Sequence, residues 1–208
     1  MSRFKLALLG FLGFIVMLSV SRVSVAQAAD SDHVRWDIIS TNFPTPPTPQ
    51  TISPDGVAFA AARNPSTLTI KLTGSGTFIG PASGGTSSGV TGGGTWETFS
   101  SGSSTGSGTY DVTELASWHF SNFSTGSFID LIDEGARANG VAVFRIAYSD
   151  GSEGVLGVGC HGPGAPNGTL EGVIASKGSV TYWDGQAPLP GVNANRTIFH
   201  IRGESDEP

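Results

Sequence analysis

From residue 34 onward, apolar and polar residues mostly alternate with a period of two. Residues 67–73 show this without a break. Leu68, Ile70 and Leu72 fall on one face, and Thr67, Thr69, Lys71 and Thr73 on the other, which is the pattern of a half-buried strand. Residues 141–148 are apolar on both faces except at Arg145 and predict a central strand. Asp150-Gly151 joins this run to another at 155–160, and Lys177-Gly178 joins 169–175 to 180–183. Short glycine turns between such runs are hairpin signals. Further strands are predicted at 34–39, 57–61, 95–99, 109–113, 118–120 and 197–201. The nearest approach to a helical period is 129–138, where Gly135 limits it to a turn or two. About ten short strands separated by Gly-, Pro- and Asn-rich turns predict an all-β fold. The expected form is a single antiparallel β-barrel, with a β-sandwich as the alternative.

Two stretches read as punctuation. Residues 43–54 contain Pro44, Pro46, Pro47, Pro49 and Pro54. Proline has no N–H to donate, so an extended crossing segment is expected there and not a central strand. Residues 74–108 consist mainly of Gly, Ser and Thr, and 80–94 within them predicts a mobile loop. The acidic tail 203–208 is expected to fray.

The start of the chain changes the picture. Arg3 and Lys5 precede an almost wholly apolar run from Leu6 to Val20, and Ala26-Gln27-Ala28-Ala29 follows. That order predicts a secretory leader, residues 1–28, cleaved after Ala28, because the run is short of the ~20 residues a membrane span needs. The expected organisation is then an extended N-terminal segment at 29–55, a barrel domain at 56–202 and the tail. The product would be secreted, extracellular or periplasmic, with no stable membrane insertion after leader removal. Arg3, Lys5 and Arg22 leave with the leader, so the mature chain is more acidic than the formal net charge of −6. Without clustered Lys and Arg, nucleic acid is not an expected partner. A single cysteine, Cys160, excludes an intrachain disulfide.

Several motifs have simpler readings. Gly85-Thr86-Ser87-Ser88-Gly89 and Gly102-Ser103-Ser104-Thr105-Gly106 match Gly-x-Ser-x-Gly, but a nucleophile elbow needs a helix after the serine and neither match has one. Gly92-Gly93-Gly94 lacks the Lys-Ser/Thr ending of a phosphate loop, and Asp150-Gly151-Ser152-Glu153 lacks the carboxylates of a calcium loop. Cys160 and His161 point to opposite faces of a strand; the expected reading is a buried thiol beside a histidine at a loop mouth. The four histidines, His33, His119, His161 and His200, show no metal-ligand spacing, so no metal and no cofactor are expected. Asn122, Asn167 and Asn195 each begin an N-glycosylation pattern.

The last third carries a resemblance. Glu171-Gly172, then Lys177-Gly178, Val180 and Tyr182-Trp183, lead to Thr197, Phe199 and Ile201. A glycine-turned hairpin followed by a T-x-F-x-I strand resembles the closing strands of dirigent and allene oxide cyclase-like β-barrels. The resemblance implies the barrel fold. It carries over no catalytic residue, since the acidic and aromatic residues of those families have no matching motif here.

A barrel of about eight strands can hold one small ligand. The expected function is binding of a small, largely apolar molecule, with Trp118, Phe120, Phe144 and Trp183 as candidate walls. The alternatives are a barrel enzyme of isomerase or cyclase type and a surface interaction protein with no small-molecule site. For catalysis the candidates are Arg145 and Glu171, polar residues inside apolar strands, and His119 and His200, which alternate with aromatic neighbours. An Arg145–Glu171 ion pair is conceivable; the competing reading places both on a solvated outer face.

Overall fold

The structure, a computed structural model, describes residues 32–45, 48–80 and 86–202. The leader and the acidic tail lie outside them. The described residues form strands and no helix. In chain order these are β1 (Asp32–Ile38), β2 (Ser40–Thr41), β3 (Thr51–Ser53), β4 (Ala58–Ala61), β5 (Leu68–Leu72), β6 (Ser75–Gly80), β7 (Val90–Ser100), β8 (Ser103–Phe123), β9 (Ile129–Asp130), β10 (Ala136–Tyr148), β11 (Glu153–Cys160), β12 (Gly172–Lys177), β13 (Val180–Tyr182), β14 (Asp184–Gly185) and β15 (Thr197–Arg202). The turn of helix allowed at 129–138 does not form: β9 and the start of β10 occupy it.

Six antiparallel strands close a barrel in the order β10, β15, β1, β6, β7, β8 and back to β10. The other strands lie outside this closed set. β11, β12 and β13 extend from β10, and β5, β4 and β14 extend from β7; the two extensions meet where β12 packs on β4 and β14. The hairpin that carries the family resemblance, β12–β13, is thus outside the barrel, while β15 closes it. A separate small sheet, β2–β3–β9, covers the outer face of β15. Its Ile52 packs with Ile39 and Ile198, and Phe128 and Ile132 close over them.

Alternation along the barrel strands explains the core. Val34, Trp36 and Ile38 of β1, Phe78 of β6, Trp118 of β8, Phe144 and Ile146 of β10 and Phe199 of β15 are all buried. Trp36 lies 5.3 Å from Phe144, Phe78 5.3 Å from Trp118 and 5.6 Å from Phe144, and Trp118 4.7 Å from Phe199, centre to centre. Tilted and edge-on pairs at these spacings are the favourable ones. The barrel interior is therefore filled by aromatic side chains.

The glycine-rich stretch supplies the room for them. Residues 90–94, expected in a mobile loop, open β7 and pair with β6 and β8. Gly76 sits directly opposite Trp36; a Cβ on it would lie 2.9 Å from Trp36 Nε1 and 2.2 Å from the Thr91 carbonyl. A six-strand barrel is too narrow for a tryptophan facing another full side chain, and small–large pairing resolves this. The separate strands expected at 109–113 and 118–120 are one 21-residue strand, β8, joined to β7 through a tight turn in which Ser101 and Gly102 both have positive φ. The second Gly-x-Ser-x-Gly match spans this turn and the start of β8.

The far end of β10 is sealed by a cation. Lys177 Nζ lies 4.1 Å from the Trp96 ring centre and 4.7 Å from that of Tyr148. It also donates to Ser152 Oγ at 2.7 Å and to Asp150, and this bond draws the Asp150 carboxyl down to about 2. Lys177→Met is expected to cost about 1–2 kcal/mol, read as a lower denaturation midpoint, with Lys177→Arg losing much less. An unchanged midpoint in the methionine variant would show that the stack carries no stability.

Candidate functional site

One cleft combines apolar walls with charged groups. It measures about 270 Å³ and lies where β11 ends and β15 begins, between the barrel and the small sheet. Ile39, Ile52, Phe128 and Ile198 line it on one side; Thr41, Arg137, Cys160, His161, Glu171 and Arg196 bring polar atoms to it. The chain reaches it from several directions. Cys160-His161 leaves β11, Glu171 precedes β12 and Arg196 precedes β15, so three strand ends converge.

Glu171 is the focal group. One carboxylate oxygen accepts the Thr197 N–H at 3.1 Å and the other accepts the His161 N–H. Burial pushes its carboxyl up to about 7, against those two N–H groups and the nearby charges of Arg196 and His161. Desolvation thus outweighs favourable partners, and the group exchanges its proton near neutrality.

Cys160 is buried, and its Sγ sits 3.7 Å from Asn139 Oδ1. Burial, with the Glu171 charge adding to it, pushes the thiol well above its ordinary range, so it stays a thiol and is no nucleophile at neutral pH. This is the buried cysteine expected from the sequence, and His161 beside it is exposed at the loop mouth.

Behind the cleft lies a charged layer that the small sheet covers in part. His200 is fully buried, with Nε2 at 2.9 Å from Asp130 Oδ2. Burial would raise the Asp130 carboxyl, but the His200 bond and charge and the Ile132 and Asp133 N–H groups hold it below the ordinary range. Arg137 stands 3.9 Å from the same carboxylate and 5.1 Å from the centre of the Phe128 ring. Arg35 binds Asp37 and Glu134 in the same layer.

Of the four catalytic candidates, only Glu171 lines the cleft. Arg145 is exposed and pairs with Glu114 at 3.2 Å across β8 and β10, so the conceivable Arg145–Glu171 pair does not form. The solvated reading holds for Arg145 and fails for Glu171, whose carboxylate is held by the His161 and Thr197 N–H groups. His119 is exposed on β8. His200 does face away from Phe199, but the outer layer buries it. The candidate ligand walls are elsewhere too. Trp118 and Phe144 belong to the filled core. Phe120 is exposed and pairs with Phe123 at 5.0 Å on the surface, beside a register shift at Asn139/Gly140. Trp183 is exposed because Tyr182, its neighbour on the opposite face, takes the buried side. Of the glycosylation-pattern residues, Asn195 is buried and accepts the Phe59 N–H, Asn122 donates to the Gly164 carbonyl, and Asn167 is exposed.

Sequence reasoning missed Arg137, Arg196 and the isoleucine wall. Arg196 precedes a strand with no distinguishing spacing. The isoleucines come from three segments distant in the chain.

Comparison with known proteins returns no matching family model, no curated relative and no matching solved structure.

Proposed function

We propose that the chain is an exported binding protein whose cleft at the head of β15 receives a small, largely apolar molecule. The observation that carries this reading is Glu171, a carboxyl held by two backbone N–H groups and poised near neutrality in a cleft that also presents Ile39, Ile52, Phe128 and Ile198. Ligand sites are mostly apolar with a few placed polar groups, and this cleft has that composition at the small end of the usual size range. Because aromatic side chains fill the barrel, this reading looks to the flank and not to the interior. Export rests on the basic, apolar and small-residue order of the first residues.

A thermal-shift screen of small apolar molecules tests the reading, since a ligand that binds the folded state raises the melting temperature by mass action. Hits are expected to move the NMR methyl signals of Ile39, Ile52 and Ile198 and to leave those of Ile70 and Ile146 in the core unmoved. A screen without hits, or hits that perturb only other methyls, would refute it.

A second reading, acid–base chemistry on the bound molecule, is favoured by the same carboxyl. A group titrating near neutrality serves a proton transfer in either direction. Proton exchange at a carbon of a bound hit, followed by deuterium incorporation and lost in Glu171→Gln, would distinguish this from binding alone.

A further inference from the structure

Two guanidinium groups on the cleft wall differ in how fully they are used. Arg137 donates through Nη2 to the Gly126 carbonyl at 2.7 Å and stands near Asp130. Arg196 makes one long hydrogen bond, Nη2 to the Leu189 carbonyl at 3.4 Å, and lies 5.2 Å from the centre of the Phe43 ring. Among the described residues it forms no ion pair. Glu171, which lines the same cleft, has both oxygens committed to backbone N–H groups.

Of the five buried polar atoms that lack a partner among the described residues, Trp36 Nε1 and His200 Nδ1 lie away from the cleft and three belong to side chains that line it. These three are Arg196 Nε, Arg137 Nη1 and Thr41 Oγ1. A buried donor left without an acceptor is costly, and a guanidinium is best satisfied by a planar oxyanion that takes two of its N–H groups at once.

Resting on the ligand reading above, we propose that the molecule received by this cleft is a compact carboxylic acid: its carboxylate pairs with Arg196, and its apolar body lies against Ile39, Ile52, Phe128 and Ile198. The charge balance selects a single negative charge. Arg137 is already partly neutralised by Asp130, and Glu171 stands on the same wall, so a doubly charged phosphoryl group meets too little positive charge. Size selects a short body, since about 270 Å³ lies at the small end of ligand-pocket volumes. A phenyl-substituted short-chain acid meets both conditions.

Isothermal titration with 4-phenylbutyrate, 4-phenylbutyramide and 4-phenylbutylammonium compares three probes of similar size and different charge. The acid is expected to bind at least about tenfold more tightly than the amide, and the ammonium not at all. In Arg196→Gln the acid should fall to the level of the amide while the amide is unchanged, and Arg196→Lys should keep part of the preference. Equal binding of acid and amide to the native protein, or an acid preference that survives Arg196→Gln, overturns the carboxylate assignment and leaves the apolar cleft standing. If none of the three binds, the assignment also fails; the apolar screen with its isoleucine methyl signals then shows whether the cleft fails with it. The comparison on the native protein decides the question even if a variant does not fold.

Discussion

Replacing Phe144 with alanine is expected to lower the free energy of unfolding by about 3–5 kcal/mol. Phe144 is fully buried, touches Trp36 and Phe78, and lies in register between Leu115 of β8 and Leu156 of β11. Truncation would remove both its transfer from water and its packing against two aromatic rings. Backbone pairing on both sides of β10 prevents the walls from collapsing into the hole. Domains are typically stable by about 5–15 kcal/mol, so the variant would sit near the threshold of folding. Denaturant unfolding measures the effect directly. Arg145→Ala, one residue away on the exposed face, serves as the control and should change stability by no more than about 0.5–1 kcal/mol. A loss below about 1 kcal/mol at Phe144 would mean that the barrel interior is not filled as described.

The second large effect is a stability that falls as pH rises through neutrality. The Glu171 carboxyl is pushed up to about 7 in the folded protein from an ordinary value of 4.5, so the folded state holds this proton more tightly than the unfolded chain. Its favourable contribution is complete below pH 4.5 and is lost as pH climbs to about 7. The loss amounts to about 3 kcal/mol at pH 8. In Glu171→Gln this slope disappears. That variant carries a cost of its own, about 1–3 kcal/mol, because one end of the amide turns N–H toward the N–H of His161 or Thr197. The native protein should therefore be the more stable at pH 5, with the two nearly equal at pH 8. Asp130 works in the opposite direction and in a different window: its carboxyl is held low, so the stability it adds is present at higher pH and is lost only as pH falls below the ordinary carboxylate range. Unfolding curves of both proteins between pH 5 and pH 8 isolate Glu171. Parallel curves across that range would show that its carboxyl is not held in the protonated form.

These expectations follow from placements that differ in how visible they were in the chain. The apolar face of several strands was legible at once, because successive side chains alternate and the apolar ones recur at every second position: Leu68, Ile70 and Leu72 in β5, outside the closed barrel, or Phe144 and Ile146 in β10 within it. The hairpins at Asp150-Gly151 and Lys177-Gly178 were legible because their glycines adopt the positive φ that the turns require. The glycine run beside Trp36 was misread as a loop. Its composition is that of a loop, and only the width of a closed six-strand barrel turns glycine into a packing requirement.

Period and turn chemistry by themselves determined the all-β class, most of the longer strands and the buried thiol. These depend on residues close together in the chain, whose faces are set by backbone geometry. Tertiary structure alone decided which outer faces stay dry and which strand ends meet. The small sheet laid over β15 buries His200 that alternation leaves open to solvent, and the meeting of β11, β12 and β15 sets Glu171 beside Arg196. No spacing encodes that meeting, because a contact made by closing a barrel depends on the pairing of every strand between the residues it joins.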